Sequence, residues 1–353
     1  MLSVKIRDHI VGKTKKCFVI AEAGVNHNGD ITLAHKLIEV AASAGADAVK
    51  FQSFITEELI TPNAPKAEYQ VQTTKEPGSQ YKMLKGLELS AYQQAELKEH
   101  CEELGILYLC TPYDNQSVDI LDEINIVAFK IASTDTTNLP FLQYVASKNR
   151  PVILSTGMST LGEVEQAVNT LQTAGLDGKI ILLHCTSEYP APLNEVNLRA
   201  ILTMEQAFGC PVGYSDHTSG VGVSPWAVAF GACAVEKHFT LDRNMDGPDH
   251  RASLEPDELL TLIKTIRQVE TALGNGIKRP TPSELSNKPM MQKSLVVRNG
   301  ISAGEVITQD NLSCKRPGFG LSPSWFERVV GKRARIDIPD EGILTLANID
   351  WHE

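Results

Sequence analysis

Short apolar, β-branched runs alternate along the chain with longer segments whose apolar residues recur about every 3.6 positions. The runs are Phe18–Ala23, Ala48–Gln52, Ile106–Thr111, Val127–Ile131, Val152–Thr156, Ile180–Cys185, Pro211–Tyr214 and Cys233–Lys237. The helical pattern follows in Leu33–Ala44, Ala91–Leu104, Gln116–Glu123, Leu139–Ser147, Glu163–Leu171, Leu198–Ala207, Ser224–Phe230 and Glu255–Leu273. Eight strands, each followed by a helix, predict an α/β fold of the (β/α)8 TIM barrel type. The competitor is an open doubly wound sheet. It usually has fewer strands and often a Gly-rich phosphate loop after the first, whereas here that strand runs into Glu22-Ala23-Gly24-Val25-Asn26-His27-Asn28-Gly29.

Two stretches break the rhythm. Ile55–Leu89 is a long polar insertion containing Pro62, Pro65, Pro77 and Gly78, and loops of that length on a barrel rim tend to be functional. Gly274–Pro289, rich in Gly, Pro, Ser and Lys, reads as connecting chain. The expected division is a catalytic barrel over 1–280, a linker over 281–293 and a small turn-rich domain over 294–353.

The formal net charge of −10 argues against nucleic acid as a partner. It leaves room for a small anion met by a local cluster of lysines. Seven cysteines, none in a C-x-x-C pair, fit a reduced cytosol. The first residues lack the apolar core of a secretion signal, and no apolar stretch reaches the roughly 18–20 residues of a membrane span. A cytoplasmic protein without membrane contact is expected.

In such barrels, chemistry sits at the C-terminal ends of the strands. Those ends carry Glu22; Lys50 and Gln52; Thr111; Lys130 and Ser133; Ser155 and Thr156; His184 and Thr186; Ser215, Asp216 and His217; and Glu236, Lys237 and His238. Unpaired buried charge is costly, so polar ends on eight apolar strands point to a site. Lys50 and Lys130 among hydroxyls suit a phosphate or carboxylate; a Schiff-base or structural role for Lys50 is the alternative. His217 and His238, on adjacent strands, could share one metal, with His184 as a third candidate or a packed neighbour. Asp249 lies in a turn near the same rim and could equally be a capping residue.

These motifs together resemble the sialic acid synthases. The resemblance rests on Ala21–Gly29, Val49-Lys50-Phe51-Gln52, Leu154-Ser155-Thr156-Gly157-Met158, Leu183-His184-Cys185-Thr186 with Tyr189-Pro190, Tyr214-Ser215-Asp216-His217-Thr218, Glu236-Lys237-His238-Phe239-Thr240, Gly247-Pro248-Asp249 and Lys315-Arg316-Pro317-Gly318. It covers essentially the whole chain. The tail, with Ile301-Ser302-Ala303-Gly304-Glu305 and Asp310-Asn311-Leu312, is similar to the antifreeze-like SAF domain of that family; ice binding is the other use of that fold.

The resemblance implies condensation of phosphoenolpyruvate with an N-acylated mannosamine-type sugar, giving a nine-carbon 2-keto acid and phosphate. It implies a divalent metal, commonly Mn2+ with Mg2+ or Co2+ as alternatives, on His217 and His238. It further implies a domain-swapped homodimer. Phosphoenolpyruvate contacts would be Lys50, Thr111, Lys130, Ser133, Ser155 and Ser215. Sugar contacts would be Glu22, Gln52, Tyr189, Glu236 and Asp249, with Arg316 reaching across from the partner. Glu22 or another rim carboxylate would move protons.

Many members carry Ser-Gly-Glu where this chain has Ser133-Thr134-Asp135. Asp135 keeps a carboxylate one methylene shorter, which puts its proton-transfer role in question. Ala21–Asn26 and Glu188–Pro192 look more like bacterial N,N'-diacetyllegionaminate synthases, while Ala64–Gln70 resembles N-acetylneuraminate synthases. A metal-dependent pyruvate aldolase is the more remote alternative.

Overall fold

The computed structural model describes residues 2–66, 71 and 79–352. Part of the polar insertion, including Pro77, Gly78 and the end of the stretch Ala64–Gln70, lies outside the described residues. The chain divides into two units, Met1–Gly274 and Asn275–Glu353.

The first unit opens with an antiparallel hairpin, β1 (Ser3–Ile6) and β2 (His9–Gly12). Eight parallel strands follow: β3 (Phe18–Gly24), β4 (Ala48–Ser53), β5 (Leu107–Pro112), β6 (Phe129–Ile131), β7 (Val152–Ser155), β8 (Ile180–Cys185), β9 (Val212–Asp216) and β10 (Ala234–His238). β10 pairs back onto β3, and the sheet closes into a barrel. The expected TIM barrel is therefore the observed one. Sequence bounds hold within a few residues, the main shift being that β9 and β10 extend to Asp216 and His238. Parallel strands are covered on both faces, which is why they read as apolar runs without visible alternation.

The alternation is nevertheless there. Val19, Ala21, Val49, Phe51, Tyr108, Phe129, Val152, Leu154, Leu182, Val212, Tyr214 and Val235 belong to the outer core, packed with helix residues such as Leu37, Leu97, Leu121, Val145 and Ile263. Their neighbours Phe18, Ile20, Ala48, Leu107, Leu109, Ala128, Ile153, Ile181, Leu183 and Ala234 fill the barrel interior together with Val4, Ile6 and Val11 of the hairpin. The hairpin thus plugs the lower barrel, each buried aliphatic contributing on the order of 2 kcal/mol. It had no place in the sequence expectation, because four apolar residues in two short runs give too little periodicity to read.

Asp47 closes the ring below. Its carboxylate accepts from the Val19 amide at 2.8 Å and from Arg267 at 3.0 Å, tying the helix Pro256–Leu273 to the start of β3. Within the insertion, the helices Thr56–Leu59 and Gln80–Lys85 frame a small core of Val25, Phe54 and Leu87.

The second unit holds two short antiparallel pairs, β11 (Ser294–Val297) with β12 (Leu312–Lys315) and β13 (Arg333–Ala334) with β14 (Ile349–Asp350), around Leu295, Val297, Ile307, Val329 and Leu344. The expected linker, 281–293, carries the helix Pro282–Met291. Thr281 caps it, and the Thr281 amide donates to the Glu284 carboxylate at 2.7 Å. None of its residues is buried, so no apolar stripe advertised it; the Thr-Pro-Ser-Glu capping box was the readable signal.

Candidate active site

Continuing the interior alternation upward places Glu22, Lys50, Gln52, Thr111, Lys130, Ser155, Ser215 and Glu236 directly above the apolar floor, with His217 and His238 at the rim. The strand register sets Glu22 beside both His238 and Lys50, and Glu236 beside Ser215. Most of these side chains stand on the paired strands of the barrel.

Four charges alternate across the barrel mouth. Lys50 Nζ lies 2.5 Å from Glu22 and 3.9 Å from Glu236, and Lys130 Nζ lies 3.2 Å from Glu236. Lys50 also donates to Thr111 Oγ1 at 3.0 Å, Ser215 Oγ to Glu236 at 3.0 Å, and Gln52 Nε2 to Glu22 at 3.3 Å. All four charged groups are buried, and their acidities diverge accordingly. Burial raises Glu22 and Glu236 sustains the rise against the pull of Lys50, so the Glu22 carboxyl holds its proton more readily than usual. Burial also disfavours a charged Glu236, but Lys130 and Lys50 together outweigh it and keep this group ionised. Lys130 is lowered by burial, which Glu236 only partly offsets. Ser155 Oγ is buried without a hydrogen-bond partner, an unused donor.

The two histidines converge, with ring centroids 5.7 Å apart and Tyr189 packed 4.2 Å from His217 and 5.8 Å from His238. His217 Nδ1 lies 2.7 Å from the Thr186 carbonyl oxygen, so Nδ1 carries the proton and Nε2 keeps its lone pair. Burial holds His217 down to about 4, and it depresses His238 too, with His217 and Lys50 adding to the effect. His238 Nδ1 is buried and unpartnered. Two neutral imidazoles, one oriented by a carbonyl and one with an orphaned nitrogen, fit a divalent cation. Among the described residues no group of three or more His, Cys, Asp or Glu could hold a metal; a cation here would keep positions open for substrate or water.

Asp249 joins through Gly24. That glycine has φ +54°, and the space a Cβ would take is bounded by Glu22 Oε1 at 3.1 Å, Gln52 Nε2 at 3.4 Å and Asp249 Oδ2 at 3.7 Å. Burial lifts the Asp249 carboxyl to about 6, against the opposing charge of Lys50. The loop bearing Asp249 is clamped by two asparagines: Asn26 Nδ2 donates to the Phe239 carbonyl at 2.8 Å, and Asn28 Nδ2 to the Asp246 carbonyl at 2.9 Å.

Other expected residues stand apart. Asp135, in the turn Ser133–Asp135, accepts from Asn138 at 3.0 Å and from Thr134 at 3.3 Å, both within its own turn. His184 lies 2.8 Å from the Val196 carbonyl oxygen through Nε2 and lines a cavity of about 390 Å3 with Thr156, Cys185, Asn197, Arg199 and Met204. Asp216 and Lys237 point outward and pair at 3.2 Å behind the sheet. Arg316 belongs to the second unit and is exposed. Its loop is fixed by Ser294 Oγ, which donates to the Pro317 carbonyl at 2.7 Å and accepts from the Gly320 amide at 2.8 Å. Sequence reasoning passed over Cys185, whose thiol faces Ser133, and the carbonyl of Thr186 that orients His217. Alternation counted from Ile181 and Leu183 would have found the first.

Comparison with known proteins gives the same picture along the chain. Residues 37–278 match the NeuB family and residues 292–350 the SAF domain. The chain is 50% identical over 331 residues to an N,N'-diacetyllegionaminic acid synthase of Campylobacter jejuni, covering 94% of this chain and 99% of that one. It is 44% identical to the enzyme of the same name from Legionella pneumophila, covering 93% of each. Among solved structures, a sialic acid synthetase from Leptospira borgpetersenii superposes with a TM-score of 0.73 at 36% identity, covering 81% of this chain and 94% of that one.

Proposed function

The chain belongs to the NeuB family and is a phosphoenolpyruvate-dependent nonulosonic acid synthase, and we propose that its acceptor is 2,4-diacetamido-2,4,6-trideoxymannose and its product N,N'-diacetyllegionaminate. The observation that carries the chemistry is the buried quartet Lys50, Glu22, Lys130 and Glu236 beside two neutral imidazoles. The high identity to two legionaminic acid synthases supports the choice of acceptor.

In this reading Lys50 and Lys130, with Thr111, Ser133, Ser155 and Ser215, hold the carboxylate and phosphate of phosphoenolpyruvate. Preorganised charge and hydroxyl donors fix the enol carbon where it can attack. Gln52, Tyr189, Glu236 and Asp249 hold the sugar. NeuB-family synthases use a divalent metal; His217 and His238 would hold it here, and we assign Mn2+. When bound, it supplies Lewis-acid polarisation of the sugar aldehyde. Carbon 3 of phosphoenolpyruvate then bonds to the aldehyde carbon, water adds at carbon 2, and phosphate leaves with cleavage of the C–O bond. Glu22, which burial keeps inclined to hold a proton, would exchange one with the sugar oxygen. Arg316 comes from the partner subunit of a domain-swapped dimer. The seven free cysteines support a cytosolic location, and among the described residues no helix is long and apolar enough to cross a membrane.

The test is phosphate release from phosphoenolpyruvate with Mn2+, comparing N-acetylmannosamine with 2,4-diacetamido-2,4,6-trideoxymannose. Faster turnover of the diacetamido sugar is expected. Preference for N-acetylmannosamine would make the enzyme an N-acetylneuraminate synthase, and no phosphate with either sugar would sink the assignment.

A further inference from the structure

We infer that Cys185 is a positioning residue: its thiol holds Ser133 so that the serine hydroxyl must donate its own hydrogen into the active site. Three contacts meet at Ser133 Oγ. The Gly157 amide donates to it at 2.9 Å, and Cys185 Sγ lies 3.1 Å away. A serine oxygen has two lone pairs and one hydrogen. With the amide on one lone pair and the thiol on the other, the remaining O–H has no role inside the protein and is free for an anion.

Either atom of the thiol contact can act as the donor, and we take the thiol to be it. Cys185 ends β8 on the interior face, above Ile181 and Leu183, and is buried. Burial raises its pKa, with the Ser133 contact and the charge of Lys130 only opposing the rise, so the thiol stays protonated with a hydrogen to give and is no nucleophile. The arrangement is close-fitting. A Cβ at Gly157 would overlap Ser187 Oγ and come within 2.9 Å of Cys185 Sγ and 3.0 Å of Ser133 Oγ. Only glycine lets that amide reach the serine while the thiol stands beside it.

The inference rests on the reading of Ser133 as a phosphoenolpyruvate contact, and the experiment separates the two. Initial rates of phosphate release are measured with phosphoenolpyruvate varied at saturating sugar, then with sugar varied. Cys185→Ala, and Cys185→Val, which fills the volume without a donor, should raise the KM for phosphoenolpyruvate about fivefold, the worth of one hydrogen bond, and leave the KM for sugar within about twofold. Cys185→Ser, which keeps a donor, should restore the wild-type KM. In a Ser133→Ala background, Cys185→Ala should add nothing, because the route to substrate is gone. An unchanged KM in both Ala and Val variants overturns the inference. So does a Ser variant as weak as Ala, or a full Cys185→Ala effect without Ser133. Wild-type protein that released no phosphate would overturn the synthase reading and this inference with it.

Discussion

Replacing Glu236 by glutamine takes one negative charge from between two buried ammonium groups while changing almost nothing in shape. At 3.2 Å from Lys130 and 3.9 Å from Lys50, the carboxylate attracts them by about 5 and 4 kcal/mol at an effective dielectric near 20. Much of this is offset by the desolvation of Glu236 itself, and broken buried pairs cost about 3–5 kcal/mol net. Glutamine still accepts from Ser215, so the lower end, about 3 kcal/mol, is expected. For a domain of this size that is a fall of about 6 °C in Tm. The deficit has a specific remedy. If Lys50 and Lys130 exist to hold an anion, phosphoenolpyruvate should refill the missing charge. Thermal melts with and without millimolar phosphoenolpyruvate, at constant ionic strength, should show a shift several degrees larger for Glu236→Gln than for wild type. Equal shifts in the two proteins, or an unliganded variant that melts with wild type, would refute the assignment of the lysines as an anion site balanced by Glu236.

Four further outcomes follow from the geometry. Asp249 ionises near 6 in the folded barrel and near 4 when unfolded, so between those values the unfolded chain loses its proton first and stability falls as pH rises. Asp249→Asn should therefore match wild type near pH 4 and exceed it by about 1–2 kcal/mol at pH 8, after discounting for partial exposure; a gain independent of pH, read from urea melts, would contradict this. Lys237→Met should cost about 3 kcal/mol in the same assay because it strands Asp216, although Thr218 and Ser224 still donate to that carboxylate, and KM should stay near wild type because the pair lies behind the sheet. His217→Ala and His238→Ala should each abolish metal-stimulated turnover with circular dichroism unchanged, and unaltered Mn2+ dependence in both would reject them as ligands. Arg316→Ala should weaken sugar use more than phosphoenolpyruvate binding, and mixing it with His217→Ala should recover part of the activity if the arginine serves the partner's site.

Most of the barrel was legible because each interior strand is apolar until its last residues, and those residues are polar for a reason the packing cannot supply. What strand ends alone could not decide was which of two neighbours faces inward. His184, Asp216 and Lys237 sit as high on their strands as Cys185, Ser215 and Glu236, yet the first three lie on the opposite face of their strands. Period two, counted from Ile181 or Ala234, separates them. The hairpin Ser3–Gly12 and the helix Pro282–Met291 escaped for the opposite reason: one buries too few residues to show a period, and the other buries none.

The same inside-outside distinction bears on the proton-transfer carboxylate. Glu236 is pinned between two lysines and stays ionised, which suits charge balance and not proton exchange. Asp135 is shorter than the glutamate it replaces and spends its oxygens on Asn138 and Thr134 within its own turn. Burial raises its pKa against the opposing hydrogen bonds of Asn138 and Thr134. Glu22 differs from both. It stands on the first barrel strand next to His238 in register and Lys50 in space, and burial inclines it to hold a proton that Lys50 can help it release. On these grounds we propose Glu22 as the source of a proton needed at the sugar oxygen. In that proposal the Thr134-Asp135 departure removes little, because proton transfer does not depend on Asp135.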